Sequence, residues 1–86
     1  MTDKPKSKKE RITEYIEEYL EKFVKDEVTL TAGEIRKWPV VDKLCDNTDA
    51  PNICNAMKSI NKYRLEFIDG VDGSTSFKMQ YFKEKN

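Results

Sequence analysis

Ile12, Tyr15, Ile16, Tyr19, Leu20, Phe23 and Val24 recur at steps of three and four, the spacing of a single apolar stripe along an α-helix. The opposite face carries Glu14, Glu17, Glu18, Glu21, Lys22 and Lys25. On it, Glu18 with Lys22 and Glu21 with Lys25 stand at the i, i+4 separation that supports a helix by ion pairing. The pattern therefore predicts an amphipathic helix from about residue 8 with an acidic outer surface. Ahead of it, residues 1–7 hold lysines, Pro5 and Ser7 but nothing apolar to bury, which predicts a flexible basic arm.

Val28-Thr29-Leu30 alternates over a length suited to a short strand. Thr31-Ala32-Gly33-Glu34 then has the spacing of a capping box, in which the threonine hydroxyl and the glutamate carboxylate each take up an unpaired amide at a helix start. That second helix runs through Ile35 and Arg36 toward Trp38, and Pro39 sets its boundary. Val41, Leu44 and Cys45 have helical spacing and predict a further short helix before the polar cluster 46–49. Asp49 reads as an N-cap with Pro51 in the first turn, opening a third main helix over 50–61 whose buried stripe is Ile53, Ala56, Met57 and Ile60.

From residue 63 the period changes to two. Tyr63, Leu65 and Phe67 alternate with Arg64, Glu66 and Ile68, while Phe77, Met79 and Tyr81 alternate with Lys78, Gln80 and Phe82. The first member of each set is predicted to face inward. Between the strands, residues 69–74 contain two aspartates and two glycines, the chemistry of a hairpin connection. Residues 84–86 are predicted to fray.

Composition restricts what such a chain can do. Eighty-six residues support one domain, and 37% charged residues imply a thin core under a solvated surface. No apolar run is long enough to cross a bilayer and the first residues lack a secretory pattern, so the expected location is cytoplasmic, with no membrane association. Cys45 and Cys54 read as free thiols. The chain has no histidine, so neither a Ser-His nor a Cys-His nucleophile can be built, and no Cys-x-x-Cys pair offers zinc a ligand set. The expectation is a protein that is not an enzyme and needs no cofactor or metal. The loop residues Asp69, Asp72 and Ser74 also miss the spacing of a calcium loop.

Net charge is zero, but it is unevenly placed. Residues 1–11 hold five cations against two acids, and residues 50–66 hold Lys58, Lys62 and Arg64 against Glu66 alone. A neutral protein can therefore still present a basic strip.

The order helix, short strand, capped helix, helix, terminal hairpin resembles the winged helix-turn-helix superfamily over about residues 8–83. Residues 28–35 (Val-Thr-Leu-Thr-Ala-Gly-Glu-Ile) carry the likeness, with Ile53, Met57, Ile60 and the two aromatic strands. The resemblance implies an α+β winged helix-turn-helix with three main helices, a short strand and a C-terminal β-hairpin wing. It further implies that helix 50–61 enters the major groove of duplex DNA while the hairpin touches the backbone or minor groove. On that helix Asn52, Asn55, Lys58, Ser59 and Lys62 are predicted to face outward, with Arg64 and Lys78 near enough to meet phosphate. Asparagine pairs with adenine's groove edge, and lysine reaches guanine or phosphate. The same residues also suit an ordinary solvated helix face. The segment 39–49 is longer than the turn of a compact helix-turn-helix, and a hairpin tip holding Asp69 and Asp72 is not expected to enter the minor groove.

Two functions follow as expectations. One is a small DNA-binding protein acting in transcription regulation, working as a homodimer because one reading helix covers few base pairs. Its dimer surface is expected on the first helix or the terminal strand. The other is an adaptor that binds a protein partner without DNA, for which Val71, Ile68 and Phe82 would form an exposed patch. Trp38, Tyr15, Tyr19 and Tyr81 read as core residues rather than base-stacking platforms.

Overall fold

A computed structural model describes residues 7–23, 25–46 and 49–83. Its elements in chain order are α1 (Lys8–Lys22), β1 (Glu27–Thr31), α2 (Ala32–Arg36), α3 (Pro39–Asp42), α4 (Ala50–Lys58), β2 (Arg64–Asp69) and β3 (Lys78–Phe82). The protein is an α+β fold in which helices cover one face of a three-stranded antiparallel sheet, order β1-β3-β2.

Helix α1 opens on a capping box that the sequence reading assigned to the flexible arm. The Ser7 hydroxyl accepts from the Glu10 amide at 3.2 Å, and Glu10 Oε1 accepts from the Ser7 amide at 3.3 Å. Ser7 therefore belongs to the folded unit, while the rest of the expected arm, residues 1–6, lies outside the described residues, as do residues 84–86. Ile12, Ile16 and Leu20 are fully buried along α1, and Tyr15, Tyr19 and Phe23 flank them half-buried. Val24 lies outside the described residues. Neither expected intrahelical ion pair forms among the described residues. Glu21 instead takes Lys62 at 3.3 Å, because an exposed pair is worth only about 0.3–0.5 kcal/mol and any nearby cation can compete for it.

Helix α2 has the capping box its sequence predicts: Thr31 Oγ1 accepts from the Glu34 amide at 3.1 Å, and Glu34 Oε1 accepts from the Thr31 amide at 3.1 Å. Two more of its unpaired amides are met from the hairpin connection. The Ala32 and Gly33 amides each donate at 2.9 Å, to the carbonyls of Phe77 and Thr75. Pro39 then starts α3, and the Leu44 and Cys45 amides both reach the Val41 carbonyl.

Helix α4 departs from its sequence reading at both ends. Asp49 stands at its start, but its carboxylate makes no cap bond to the helix. It accepts instead from Lys8 Nζ, the Asp46 amide and Asn52 Nδ2, all within 3.0 Å. The helix ends at Lys58 rather than residue 61, with Ser59 as its C-cap. Ser59 Oγ donates to the Asn55 carbonyl and the Ser59 amide to the Ala56 carbonyl. Tyr81, reaching across from β3, donates to the Met57 carbonyl at 3.0 Å. Three of the four carbonyls left over at this helix end thus find donors. The buried stripe Ile53, Ala56, Met57 and Ile60 is as predicted, with Cys54 buried beside it.

Both predicted strands of the hairpin form, and β3 lies at the centre of the sheet. Its inward residues Met79 and Tyr81 are buried as expected, opposite Leu30 and Val28 of β1, and Phe77 just before the strand is buried with them. On β2 the expectation holds less well. Tyr63 and Leu65 are half-buried, but Phe67, on the edge strand, is 59% exposed, with its ring 5.8 Å from that of Phe77. Alternation also breaks there: Phe67 pairs with Met79 and Asp69 with Lys78, leaving Ile68 as the extra residue of a bulge.

The connection between β2 and β3 runs over residues 70–77. Gly70 and Gly73 adopt φ of 89° and 92°, the left-handed region that favours glycine.

Candidate nucleic-acid interface

The outward side of α4 is polar along its length. Asn55 and Lys58 are exposed and Asn52 and Ser59 half-exposed, opposite the buried Ile53, Cys54, Ala56 and Met57. A nine-residue helix with an apolar back can expose only this strip, so the placement follows from the periodicity.

The predicted cations do not gather on it. Lys58 lies on the strip, where Asp72 from the hairpin connection approaches its ammonium to 2.5 Å. Lys62, just beyond the helix, is held at Glu21 of α1, a contact that raises its pKa. Arg64 and Lys78 belong to alternate positions of β2 and β3, pointing away from the sheet face that carries Met79 and Tyr81 and therefore away from α4. Arg64 lies over the Phe82 ring, 4.3 Å from its centroid, with Glu66 at 3.3 Å. The expectation that Arg64 and Lys78 share a surface with Lys58 and Lys62 is thus corrected: in a sheet with one covered face, residue parity sends them to the other side. Lys83 turns to the Phe23 carbonyl at the end of α1.

Asn52 is also less available than its position suggests, since Nδ2 donates to Asp49 at 3.0 Å. Of the seven predicted contact residues, Asn52, Asn55, Lys58 and Ser59 form one strip, Lys62 borders it, and Arg64 and Lys78 stand apart. The hairpin connection does not project as a free tip. It folds onto α2 and α4, and the Cys54 thiol donates to the Ser74 carbonyl at 3.3 Å. Cys45 and Cys54 are free thiols, both buried, and burial pushes both pKa values up.

A second surface lies along α1, one of the two places where a dimer surface was expected. Tyr15, Glu18, Tyr19 and Lys22 of α1 face Trp38 and Val40 across a hollow of about 360 Å³. A second hollow of about 240 Å³ continues it toward Arg11, Lys43 and Leu44. Tyr19 stacks obliquely on Trp38 with ring centroids 4.7 Å apart. Of the four aromatics expected in the core, only Tyr81 is fully buried; the other three line this groove. The available signal was that Tyr and Trp flank the Ile/Leu stripe rather than occupying its centre, as amphipathic rings do at a core's margin.

No protein-family model matches the chain, and neither a characterised protein nor a solved structure matches it. No helix among the described residues is long and apolar enough to cross a membrane.

Proposed function

We propose that this chain is a winged-helix DNA-binding protein that sets the outer strip of α4 against duplex DNA, in the manner of a small transcriptional regulator. The observation that carries the reading is that strip: Asn52, Asn55, Lys58 and Ser59 succeed one another on the outer side of a helix whose back is wholly buried. Asparagine and lysine at this spacing suit groove-edge hydrogen bonding. The sheet order β1-β3-β2, with α4 beside the terminal hairpin, agrees with the layout that the resemblance implies.

The ion pairs of Lys58 and Lys62 do not bar this role. Exposed pairs are worth about 0–1 kcal/mol each, so a phosphate can displace Asp72 or Glu21 at small cost. They do limit how many cations reach the backbone, and the salt dependence of binding should be shallow, with a logarithmic slope of about −0.9 per phosphate contact.

The test is titration of mixed-sequence duplex at low and physiological salt. Binding is expected for the native chain, to be lost in Lys58→Glu, to weaken in Asn55→Ala, and to strengthen in Asp72→Asn, which frees Lys58. Absence of binding at low salt, or equal binding by Lys58→Glu, overturns the reading.

A second reading, an adaptor that binds protein and not DNA, is favoured by the carboxylate beside each of Lys58, Lys62 and Arg64 and by exposed Phe67, Ile68 and Val71. It expects the titration to be blank.

A further inference from the structure

The sheet has two edge strands, and they are finished differently. On β1 the inward residues Val28 and Leu30 are buried. On β2 the inward set is Tyr63 and Leu65, both half-buried, and Phe67 at 59% exposure. The stretch 64–67 also lacks the devices that blunt an edge: it holds neither proline nor lysine, and the bulge falls after it, between Phe67 and Asp69. An open backbone edge beside an uncovered apolar side chain is a template for one more strand.

We propose that β2 pairs antiparallel with β2 of a second copy of this chain, Leu65 lying on the two-fold axis, so that one sheet runs β1-β3-β2-β2-β3-β1 through a symmetric dimer. In this register Arg64 of each copy stands opposite Glu66 of the other on the outer face. On the inner face Tyr63 stands opposite Phe67, with the two Leu65 side chains between these aromatic pairs. The neighbouring registers fail. An axis at Arg64 opposes two arginines and an axis at Glu66 opposes two glutamates, which is unfavourable directly across a strand pair. An axis between two residues sets apolar side chains against charged ones, and an axis at Phe67 carries the pairing into the bulge.

The existing contact of Arg64 with Glu66, 3.3 Å along the strand, uses up neither group. The side chains are 61% and 53% exposed, and guanidinium and carboxylate each have bonding positions to spare. In the dimer each charge has an opposite one both along its own strand and across the edge. Charged and apolar positions thus complement themselves under a two-fold, the property an isologous interface requires. The terminal strand β3, expected from the sequence as a possible dimer surface, is paired on both sides and offers no edge. The contact uses residues 63–67 and none of the α4 strip, so it stands or falls apart from DNA binding.

The experiment is analytical ultracentrifugation of the full chain over a concentration series up to about 1 mM, with Arg64→Glu and Glu66→Arg as variants and circular dichroism to verify that both fold. The native chain is expected to approach twice the monomer mass and stop there. Each variant alone opposes like charges across the edge and should stay monomeric. Their equimolar mixture should dimerise again, because the two acids of one chain then face the two arginines of the other. Hydrogen exchange of the native chain needs no variant: amides within 64–67 should gain protection as concentration rises, while those of β1 should not. A native chain that stays monomeric or grows beyond a dimer, a folded variant that dimerises as the native chain does, a mixture that stays monomeric, or exchange at 64–67 that ignores concentration would each overturn the proposal.

Discussion

The Asp49 carboxylate accepts from the Lys8 ammonium at 2.9 Å, tying the first turn of α1 to the start of α4 across 41 residues of chain. Asp49 is 6% exposed, a buried charge that also accepts from the Asp46 amide and from Asn52. Such a group is tolerated only because its oxygens are fully engaged.

These contacts, the Lys8 hydrogen bond first and the Asp46 amide next, hold the Asp49 pKa at about 2, below its ordinary 3.8. A carboxyl whose pKa is depressed by folding contributes stability that is fully present above its unfolded value and disappears as pH falls through the folded one. Urea midpoints of the native chain are therefore expected to fall between about pH 4 and pH 2. Asp49→Asn should be less stable at neutral pH and should show a flatter profile in that window. An unchanged slope in the variant would assign the acid sensitivity to other carboxylates. Lys8 has the opposite sign: its raised pKa preserves the contact at neutral pH and loses it only in strong alkali.

Tyr81 is fully buried, and its hydroxyl serves the end of a helix in another layer by donating to the Met57 carbonyl. Removing one partner of a buried hydrogen bond costs about 1–3 kcal/mol, since the carbonyl left behind has no water to turn to. Tyr81→Phe should lower unfolding free energy by that amount with an unchanged denaturant m-value. Loss of less than about 0.5 kcal/mol would mean that water or another donor replaces the hydroxyl. Burial also raises the phenol's pKa, so this contact persists through ordinary alkaline pH.

Gly70 and Gly73 have nearly equal φ, yet their surroundings separate them. A Cβ at Gly70 would stand 1.9 Å from the Ser76 carbonyl oxygen, whereas one at Gly73 would meet nothing within 4 Å. Gly73→Ala is expected to cost about 1–2 kcal/mol, the backbone strain alone. Gly70→Ala must also displace a backbone carbonyl and should cost clearly more. Thermal denaturation of the two variants checks the order, and equal losses would contradict it.

Much of this architecture is legible in the sequence where a local rule operates. The stripe of α1, the Thr31 to Glu34 capping box, the buried face of α4 and the inward set on β3 each follow from periodicity or from partners three or four residues apart. Ser7 to Glu10 obeys the same capping rule and was equally readable, although the lysines around it suggest a flexible arm. What could not be read depends on distant partners. Asp49 turned from a cap to a bridge because Lys8 reaches it. Helix α4 stopped early because Ser59 and Tyr81 supply its last carbonyls with donors. Phe67 is exposed because β2 falls at the edge of the sheet, a place fixed by strand order.

The candidate site divides in the same way. That Asn52, Asn55, Lys58 and Ser59 share one helical face is arithmetic on 3.6 residues per turn, and the chain alone dictates it. That Lys58 meets Asp72, Lys62 meets Glu21, and Arg64 and Lys78 turn to the far side of the sheet is set by how separate elements pack. Hydrophobic spacing specifies which side of each element is buried, since burial is local and repetitive. Which charges then face each other depends on the relative placement of elements far apart in the chain, and only the packed structure decides it.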